Sequence, residues 1–119
     1  GLIADLPEAL TGAGLSARIR AALNREPLHI DAENRPIRRV AWCTGAAQHY
    51  IEQAAKLGID AYISGEISEP TVHIAQENGM HYFAAGHHAT ERYGVKALGE
   101  FLAQRFGIQH TFIDSHNPV

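Results

Sequence analysis

The sequence predicts an α/β fold in which strands and helices alternate around a mostly parallel sheet. Three apolar, β-like runs each end in a small residue followed by glycine, at Gly45, Gly65 and Gly86. A run with helical spacing of apolar residues follows each glycine. Alternation at this length implies parallel strands joined by right-handed crossovers. We therefore expect the three glycine turns to lie together at the carboxyl edge of the sheet, the usual ligand side of such folds.

The composition is that of one globular domain over residues 1–119, with 45% hydrophobic and 19% charged residues. A net charge of −3 at pH 7 gives no electrostatic reason to expect nucleic acid or an anionic membrane as a partner. No apolar run approaches the roughly 18 residues that a membrane helix requires. The single cysteine, Cys43, cannot form an internal disulfide, so we expect a reducing, cytoplasmic setting.

Residues 1–36 carry weaker structural signals than the rest of the chain. Residues 1–14 show little periodicity, and 6–10, which contains Pro7, does not have the pattern of a strand. Ser16 is a suitable helix N-cap, and the apolar residues around it fall at helical spacing, which predicts a helix over 17–24. Residues 28–30 predict a short strand, and 31–36 a polar turn.

From residue 37 the alternation is regular. The predicted strands are 37–43, 61–63, 80–85 and 109–113. The predicted helices are 46–57, closed by Gly58; one that begins after Ser68 and is closed by Gly79; and 90–106, closed by Gly107. The large apolar side chains expected in the core include Trp42, Cys43, Phe83, Phe101, Phe106 and Phe112.

Residues 84–91, Ala-Ala-Gly-His-His-Ala-Thr-Glu, form the strand-to-helix turn that is richest in reactive side chains. His87 and Glu91 are four apart and share one face if both are helical, and imidazole and carboxylate suit a first-row divalent metal. His88 would point about 100° away. The alternatives are a surface hydrogen bond between His87 and Glu91, or a histidine that caps the turn. Since two ligands do not make a tight site, further ligands are expected from elsewhere.

Glu66 comes directly after the second glycine turn. It could act as an acid, as a base, or as the partner that orients a ligand histidine. The alternative is a carboxylate favoured by the positive end of the next helix. Glu69 and His73 are also four apart and are expected to form a solvated pair, and His49 and Tyr50 could reach the same edge of the sheet.

Two patterns in the sequence are compatible with phosphate binding. Residues 12–17, Gly-Ala-Gly-Leu-Ser-Ala, match the dinucleotide fingerprint GxGxxA, with Asp31 at a suitable distance. Because no strand is predicted directly before it, we interpret the match as chance. Thr44 and Ser64, with neighbouring backbone amides, could cradle a phosphate, but such turns are common.

Three pieces of the sequence together resemble one family: AWCTG at 41–45, GIDAYISGE at 58–66 and AAGHHATE at 84–91. They are similar to the carboxyl-terminal half of the NIF-three-like family in its bacterial YbgI type, whose members are often labelled GTP cyclohydrolase type-two homologues. The resemblance covers nearly the whole chain and is strongest over 38–102. Each piece alone is weak, and the combination is specific. It implies a NIF-three-like (YbgI-type) fold.

The resemblance also implies a dinuclear centre of two divalent ions such as iron, manganese or zinc. The family's GHxxxE motif falls on Gly86, His87 and Glu91, which makes His87 and Glu91 the implied metal ligands. Glu66 matches an acidic residue of the family and is the candidate catalytic residue. The family's other ligands, a paired-histidine motif and a later aspartate, have no match in 1–37. We therefore expect a carboxyl-terminal portion of a longer chain, with half of the metal site.

The function implied by the resemblance is a metal-dependent, cyclohydrolase-like hydrolase that acts on a small, nucleotide-like molecule. A homo-oligomer, a ring-like hexamer built from dimers, is implied as well. The alternative is a non-catalytic scaffold or regulatory protein in which the metal stabilises a ring. A nucleotide-binding module that uses the glycine turns is a third hypothesis.

Overall fold

The computed structural model describes residues 1–119 and contains one five-stranded sheet with helices packed on both faces. The strands are β1 (Leu2–Leu10), β2 (Leu28–Ile30), β3 (Ile37–Cys43), β4 (Ala61–Ser64) and β5 (His81–Ala84). The helices are α1 (Gly12–Leu23), α2 (Ile51–Lys56), α3 (Glu69–Glu77) and α4 (His87–Phe106). None of these helices has both the length and the apolar character needed to cross a membrane.

The strand order across the sheet is β1-β3-β4-β5-β2. The three central strands, β3, β4 and β5, run parallel, whereas β1 and β2 pair antiparallel at the two edges. Val40 pairs with Ala61, and Ala61 pairs with His81, so the central strands are in register and end at the same edge. The predicted α/β fold around a mostly parallel sheet is confirmed.

Side chains of the central strands alternate between two apolar cores, one on each face of the sheet. The core beneath α2 and α3 comprises Ala41, Ile51, Ala54, Ile59, Tyr62, Ala75, Met80 and Tyr82. The core beneath α1 comprises Leu15, Ile19, Ile37, Val40, Ala61, Phe83 and Ala85. Because both faces are covered, the central strands are continuous apolar runs, and this is why the sequence predicts them well.

The amino-terminal region differs from its prediction because β1 occupies residues for which the sequence predicts no strand. As an edge strand β1 leaves most of its side chains exposed, so no clear apolar pattern marks it. Pro7 is tolerated there because an edge strand pairs on one side only. The register against β3 also shifts between Asp5 and Leu10, which further obscures the pattern.

Helix α1 begins at Gly12, five residues before the predicted start at residue 17. Thr11 is the N-cap, and its Oγ1 accepts a hydrogen bond from the backbone amide of Gly14 at 3.0 Å. Ser16, the predicted cap, lies inside the helix. The predicted helix over 46–57 is shorter than expected, since a 3-10 turn at Gln48–Tyr50 precedes α2.

The predicted strand over 109–113 is wrong, because residues 107–119 contain no strand. Both edges of the sheet are already formed by β1 and β2, and this segment instead returns along α4. There the carboxylate of Asp114 accepts hydrogen bonds from Arg92 at 2.7 Å and from His88 at 3.0 Å. These contacts attach the last residues to the first turns of α4.

Two of the predicted core aromatics are in fact on the surface. Phe101 and Phe106 are 59% and 65% exposed, so their assignment to the core is wrong for this chain. Helix α4 runs beyond the sheet, and its one buried residue is Ala89 in the first turn. Phe83 is fully buried, as predicted. The half-buried members of the predicted set are Trp42, Cys43 and Phe112.

Candidate metal sites at the two edges of the sheet

The three glycine turns meet at the carboxyl edge of the sheet. The amide of Gly65 donates to the carbonyl of Gly45 at 3.0 Å, and the amide of Gly86 donates to the carbonyl of Gly65 at 2.9 Å. A side chain at Gly65 would place its Cβ 2.8 Å from the Cα of His87. The predicted convergence of these turns is confirmed, and the close approach of backbones explains why residue 65 is glycine.

Thr90 joins the first turn of α4 to the turn that follows β3. Its Oγ1 accepts a hydrogen bond from the amide of Gly45 at 3.1 Å and donates to the carbonyl of Gly86 at 2.9 Å. Ser64 adds a bond from its hydroxyl to the carbonyl of Gly45 at 3.2 Å. The start of α4, which carries the histidines, is therefore held firmly against the sheet edge. Ser64 is buried and committed to this backbone contact, which argues against a phosphate role for its hydroxyl.

His87 lies between two carboxylates at this edge. Its Nδ1 is 2.6 Å from Glu66 Oε1, and its Nε2 is 3.1 Å from Glu91 Oε2. The hydrogen bond with Glu66 is the main cause of the raised pKa of His87. Burial lowers this pKa by less than Glu66 raises it, and Glu91 raises it further. The three side chains thus form a row, with the imidazole in the middle, and do not converge on one point.

Gly45 provides the space that this row occupies. A Cβ at Gly45 would press on Glu91 Oε1 and would lie 3.1 Å from His87 Nε2. The backbone φ of Gly45 is +65°, a conformation that also favours glycine. Any other residue would therefore disturb both donor atoms of the pair.

Glu66 is held on its other side by neighbouring polar groups. Gln48 Nε2 approaches Glu66 Oε2 at 3.5 Å, and the hydroxyl of Tyr82 donates to the backbone carbonyl of Glu66 at 2.6 Å. Burial raises the pKa of Tyr82 to about 12, so this phenol stays protonated as a donor. The Oε1 atom of Gln48 is buried without a partner.

The pair formed by His87 and Glu91 fits two adjacent ligands of one metal ion. Ligand bonds of about 2.0–2.2 Å place neighbouring donor atoms roughly 3 Å apart, which agrees with the 3.1 Å between His87 Nε2 and Glu91 Oε2. A carboxylate on the second nitrogen of a ligand histidine, as Glu66 is placed here, is the usual partner of such a ligand. Within residues 1–119 no third side chain joins this pair as a ligand.

The other candidates near this edge lie apart from the row. His88 Nε2 is bound to Asp114, as the 100° rotation from His87 leads one to expect. His49 is exposed and stacks on Tyr50. Glu69 and His73, predicted to form a solvated pair, are both exposed on α3 and make no ion pair.

A second cluster of potential metal ligands lies at the opposite, amino-terminal edge of the central strands. His29 Nε2 is 3.1 Å from His81 Nδ1, and Asp31 Oδ1 is 3.2 Å from that same His81 nitrogen. Asp31 Oδ1 is 3.9 Å from His29 Nε2. These three atoms form the one group of three or more converging ligand atoms in the chain.

The elements of the fold explain this second cluster. His81 is the first residue of β5, and its side chain is 1% exposed. The antiparallel pairing of β2 with β5 places His29 opposite Phe83, and the two rings stack at 4.2 Å. Asp31 follows β2 and is 65% exposed. Burial lowers the pKa of His29, with Asp31 opposing and His81 adding to the shift.

The sequence does not reveal this cluster, because His29 and His81 are 52 residues apart and neither belongs to a recognisable motif. The sequence offers two weak signals of the cluster: a histidine at the start of one short strand, and another histidine two residues before Asp31. Gly12, the first residue of the GxGxxA match, lies beside this cluster. A strand does precede it, contrary to the prediction, but β1 is antiparallel to β3 and so does not form the parallel unit that the fingerprint requires.

Comparisons with known proteins agree with this fold. The sequence model of the family Duf34/NIF3 (NGG1p interacting factor 3) matches residues 1–118. A Pseudomonas aeruginosa protein named GTP cyclohydrolase 1 type 2 homolog is 58% identical over 118 residues, which are 99% of this chain and 46% of the relative. A Vibrio cholerae protein of the same name is 60% identical over 112 residues, 92% of this chain and 44% of the relative. The chain thus spans about half the length of these relatives.

Solved structures give the same result. A structure titled protein ybgI, of unknown function, superposes with a TM-score of 0.92 at 47% identity, over 98% of this chain and 48% of the other. A Bacillus cereus protein related to NIF3 superposes with a TM-score of 0.80 at 24% identity, over 100% of this chain and 35% of the other. The second likeness concerns the fold alone, and the first confirms the predicted YbgI-type fold.

Proposed function

Because the chain belongs to the Duf34/NIF3 family, we propose that it supplies half of the dinuclear metal centre of a metal-dependent hydrolase. The observation that carries this proposal is the pair of donor atoms, His87 Nε2 and Glu91 Oε2, set 3.1 Å apart at the carboxyl edge. The name GTP cyclohydrolase 1 type 2 homolog, carried by relatives twice as long, favours hydrolysis of a nucleotide-like small molecule. The remaining ligands would come from residues outside 1–119.

The donor set favours iron, manganese or zinc, since imidazole and carboxylate together suit first-row divalent ions. When bound, two such ions would lower the pKa of a bound water to near neutrality and polarise the substrate. The chain's own contribution is to hold His87 and Glu91 in place. Thr90 anchors the helix that carries both, and Gly45 leaves room for both donor atoms.

Glu66 is proposed as the residue on which activity depends. Its contact with His87 Nδ1 at 2.6 Å supports a positioning role, in which the carboxylate fixes the ring and leaves Nε2 free to bind metal. A direct role as acid or base needs a carboxylate oxygen that is not engaged in that hydrogen bond. Its second oxygen, near Gln48, is the one available for such a role.

Metal analysis of the full-length protein tests the assignment of ligands. We expect about two metal ions per subunit at this centre, and the loss of at least one in His87→Ala and in Glu91→Ala. His88→Ala is the matched control, because His88 is the adjacent histidine and binds Asp114. Unchanged metal content in both His87→Ala and Glu91→Ala would refute the proposal.

Glu66→Gln separates a positioning role from a catalytic one. If Glu66 orients His87, metal affinity falls by roughly 10- to 100-fold. If Glu66 transfers a proton, turnover is lost at full metal occupancy. A screen of hydrolysable nucleotides and related small molecules with metal-loaded protein supplies the activity, and retention of both affinity and turnover in Glu66→Gln would remove Glu66 from the site.

An oligomeric scaffold is the second candidate, and the exposed apolar side chains of α4 favour it. Val95, Leu98, Phe101 and Phe106 are each at least 57% exposed. Apolar side chains exposed in this number indicate an interaction surface. A ring-like hexamer built from dimers would cover them. Light scattering of the full-length protein measures the mass, and a ring without metal-dependent turnover in the screen would favour the scaffold.

The single free cysteine supports a cytoplasmic location.

A further inference from the structure

We propose that His29, Asp31 and His81 bind a divalent first-row transition-metal ion at the amino-terminal edge of the sheet, separate from the pair at His87 and Glu91. The converging atoms are His29 Nε2, Asp31 Oδ1 and His81 Nδ1. Two of their mutual distances, 3.1 and 3.2 Å, lie in the roughly 2.8–3.6 Å expected between ligands of an ion with bonds of about 2.0–2.2 Å, and the third, 3.9 Å between His29 Nε2 and Asp31 Oδ1, is slightly longer. Two imidazoles and one carboxylate suit iron or zinc.

The hydrogen bonds of His81 leave its Nδ1 unprotonated, with one lone pair that a metal ion would take in place of the amide of Ala32. His81 Nε2 lies 2.9 Å from the carbonyl of Arg35, which can only accept, so Nε2 carries the proton. A backbone carbonyl on the second nitrogen is a common partner of a metal-bound histidine. The backbone amide of Ala32 approaches Nδ1 at 3.2 Å as a donor. Nδ1 is therefore an acceptor.

Because Nδ1 is an acceptor, one contact of the cluster pairs two hydrogen-bond acceptors, and a cation between them would stabilise it. Asp31 Oδ1 is a carboxylate oxygen, which only accepts, and it lies 3.2 Å from the acceptor Nδ1 of His81. Two acceptors at this distance repel each other unless a positive charge lies between them. A metal ion bound by both atoms and by His29 Nε2 removes that repulsion.

The surroundings of the cluster hold the rings in place and leave the ion a path of entry. The ring of His29 is stacked on Phe83 with an interplanar angle of 7°. A Cβ at Gly12 would lie 2.5 Å from His29 Cε1 and 2.9 Å from His81 Cε1, so a glycine at this position gives the two rings their space. A cleft of about 470 Å³, lined by Thr11, Gly12, Asp31 and His81 among others, opens beside the donors. Solvent can supply the remaining ligands from this cleft.

Calorimetric titration of the protein with Zn²⁺ tests the site. The background is the full-length protein with His87→Ala/Glu91→Ala, and the result is the difference that Asp31→Asn makes in it, so any ligands left at the other edge are common to both titrations. We expect Asp31→Asn to weaken one Zn²⁺ site per chain by at least about tenfold and to leave any other site unchanged. Asp31 is exposed, so the substitution is expected to leave the fold intact. Glu33→Gln, a second exposed acidic residue of the same loop, is the matched control and should leave affinity unchanged.

A second measurement needs no substitution. In crystals of the protein grown with Co²⁺, anomalous scattering should place an ion within bonding distance of His29 Nε2, His81 Nδ1 and Asp31 Oδ1. Two results would overturn the proposal. One is Zn²⁺ affinity that is equal with and without Asp31→Asn. The other is the absence of an anomalous peak at the three atoms, which would leave a hydrogen-bonded cluster only.

Discussion

The two edges of the sheet offer metal ligands in different ways. At the carboxyl edge, His87 and Glu91 come from one turn of α4. Glu66, which follows β4, forms a row with them in which His87 is in the middle. At the amino-terminal edge, three potential donor atoms from two strands and a loop lie within 4.8 Å of one another. The carboxyl edge has the motif but two candidate ligands, whereas the other edge has three candidate ligands and no motif. A motif in sequence therefore indicates chemistry, and convergence of donors is a property of the fold.

The two edges also differ in how their histidines are embedded. His87 is 37% exposed, and neighbouring carboxylates, Glu66 first, raise its pKa. His81 is 1% exposed, and burial lowers the pKa of His29 beside it. The carboxyl edge therefore keeps its polar groups open to solvent. The amino-terminal edge holds its two histidines more deeply, and only Asp31 is exposed.

His81→Ala is expected to have the largest effect on stability. It leaves the carbonyl of Arg35 and the amide of Ala32 without a partner and opens a cavity, so we expect the unfolding free energy to fall by about 3 kcal/mol. Urea denaturation of chelator-treated protein, followed by circular dichroism, measures it. The matched change at the other edge, His87→Ala, should leave the midpoint nearly unchanged. Equal losses would contradict the contrast between a buried and an exposed histidine.

Asp60→Asn is expected to have the next largest effect, because Asp60 fastens the loop that supports His81. Its carboxylate accepts hydrogen bonds from the amides of Arg38 and Arg39 and from the guanidinium of Arg35, each at 2.9 Å. Burial tends to raise the pKa of Asp60, but these bonds together outweigh it and leave the pKa below its usual value. We expect a loss of about 1–2 kcal/mol at pH 7.

The pH dependence of stability follows from the direction of this shift. A lowered pKa contributes stability above the unfolded-state value of about 4, and that contribution is lost as the pH falls through the lower pKa of the folded state. The free energy of unfolding, measured between pH 7 and pH 2, should therefore fall less steeply with decreasing pH for Asp60→Asn than for the unsubstituted protein. Asp5→Asn is the control, since Asp5 is 80% exposed and forms a surface ion pair with Arg39. Parallel curves for Asp60→Asn and the unsubstituted protein would refute this account.

Gly45→Ala is expected to act mainly on the carboxyl edge. The φ of +65° costs an alanine about 1–2 kcal/mol, and the new Cβ would displace Glu91 and His87. Gly58→Ala separates the two effects, because Gly58 has a φ of +67° and no atom within 4 Å of a Cβ. Both variants should lose similar stability, and metal content should fall in Gly45→Ala alone. Normal metal content in Gly45→Ala would mean that Gly45 does not shape the site.

The parts of the fold that sequence patterns predict well are those with local causes. Strand β3 and helix α3, with Ser68 before it and Gly79 after it, are marked by continuous apolar runs and by capping and terminating residues. Strand β1 is missed because an exposed edge strand needs no apolar pattern, and Pro7 is compatible with its unpaired side. Phe101 and Phe106 are placed wrongly in the core because helical spacing predicts an apolar face without showing what covers it.

The sequence alone is enough to establish the alternation of strands and helices, the meeting of Gly45, Gly65 and Gly86 at one edge, and the shared face of His87 and Glu91. Each depends on the period of a strand or a helix or on the direction of parallel strands, and these are local properties of the chain. The contact of Glu66 with His87 and the cluster of His29, Asp31 and His81 depend on tertiary structure. Their members are brought together by sheet order and register, which result from packing between residues distant in the chain.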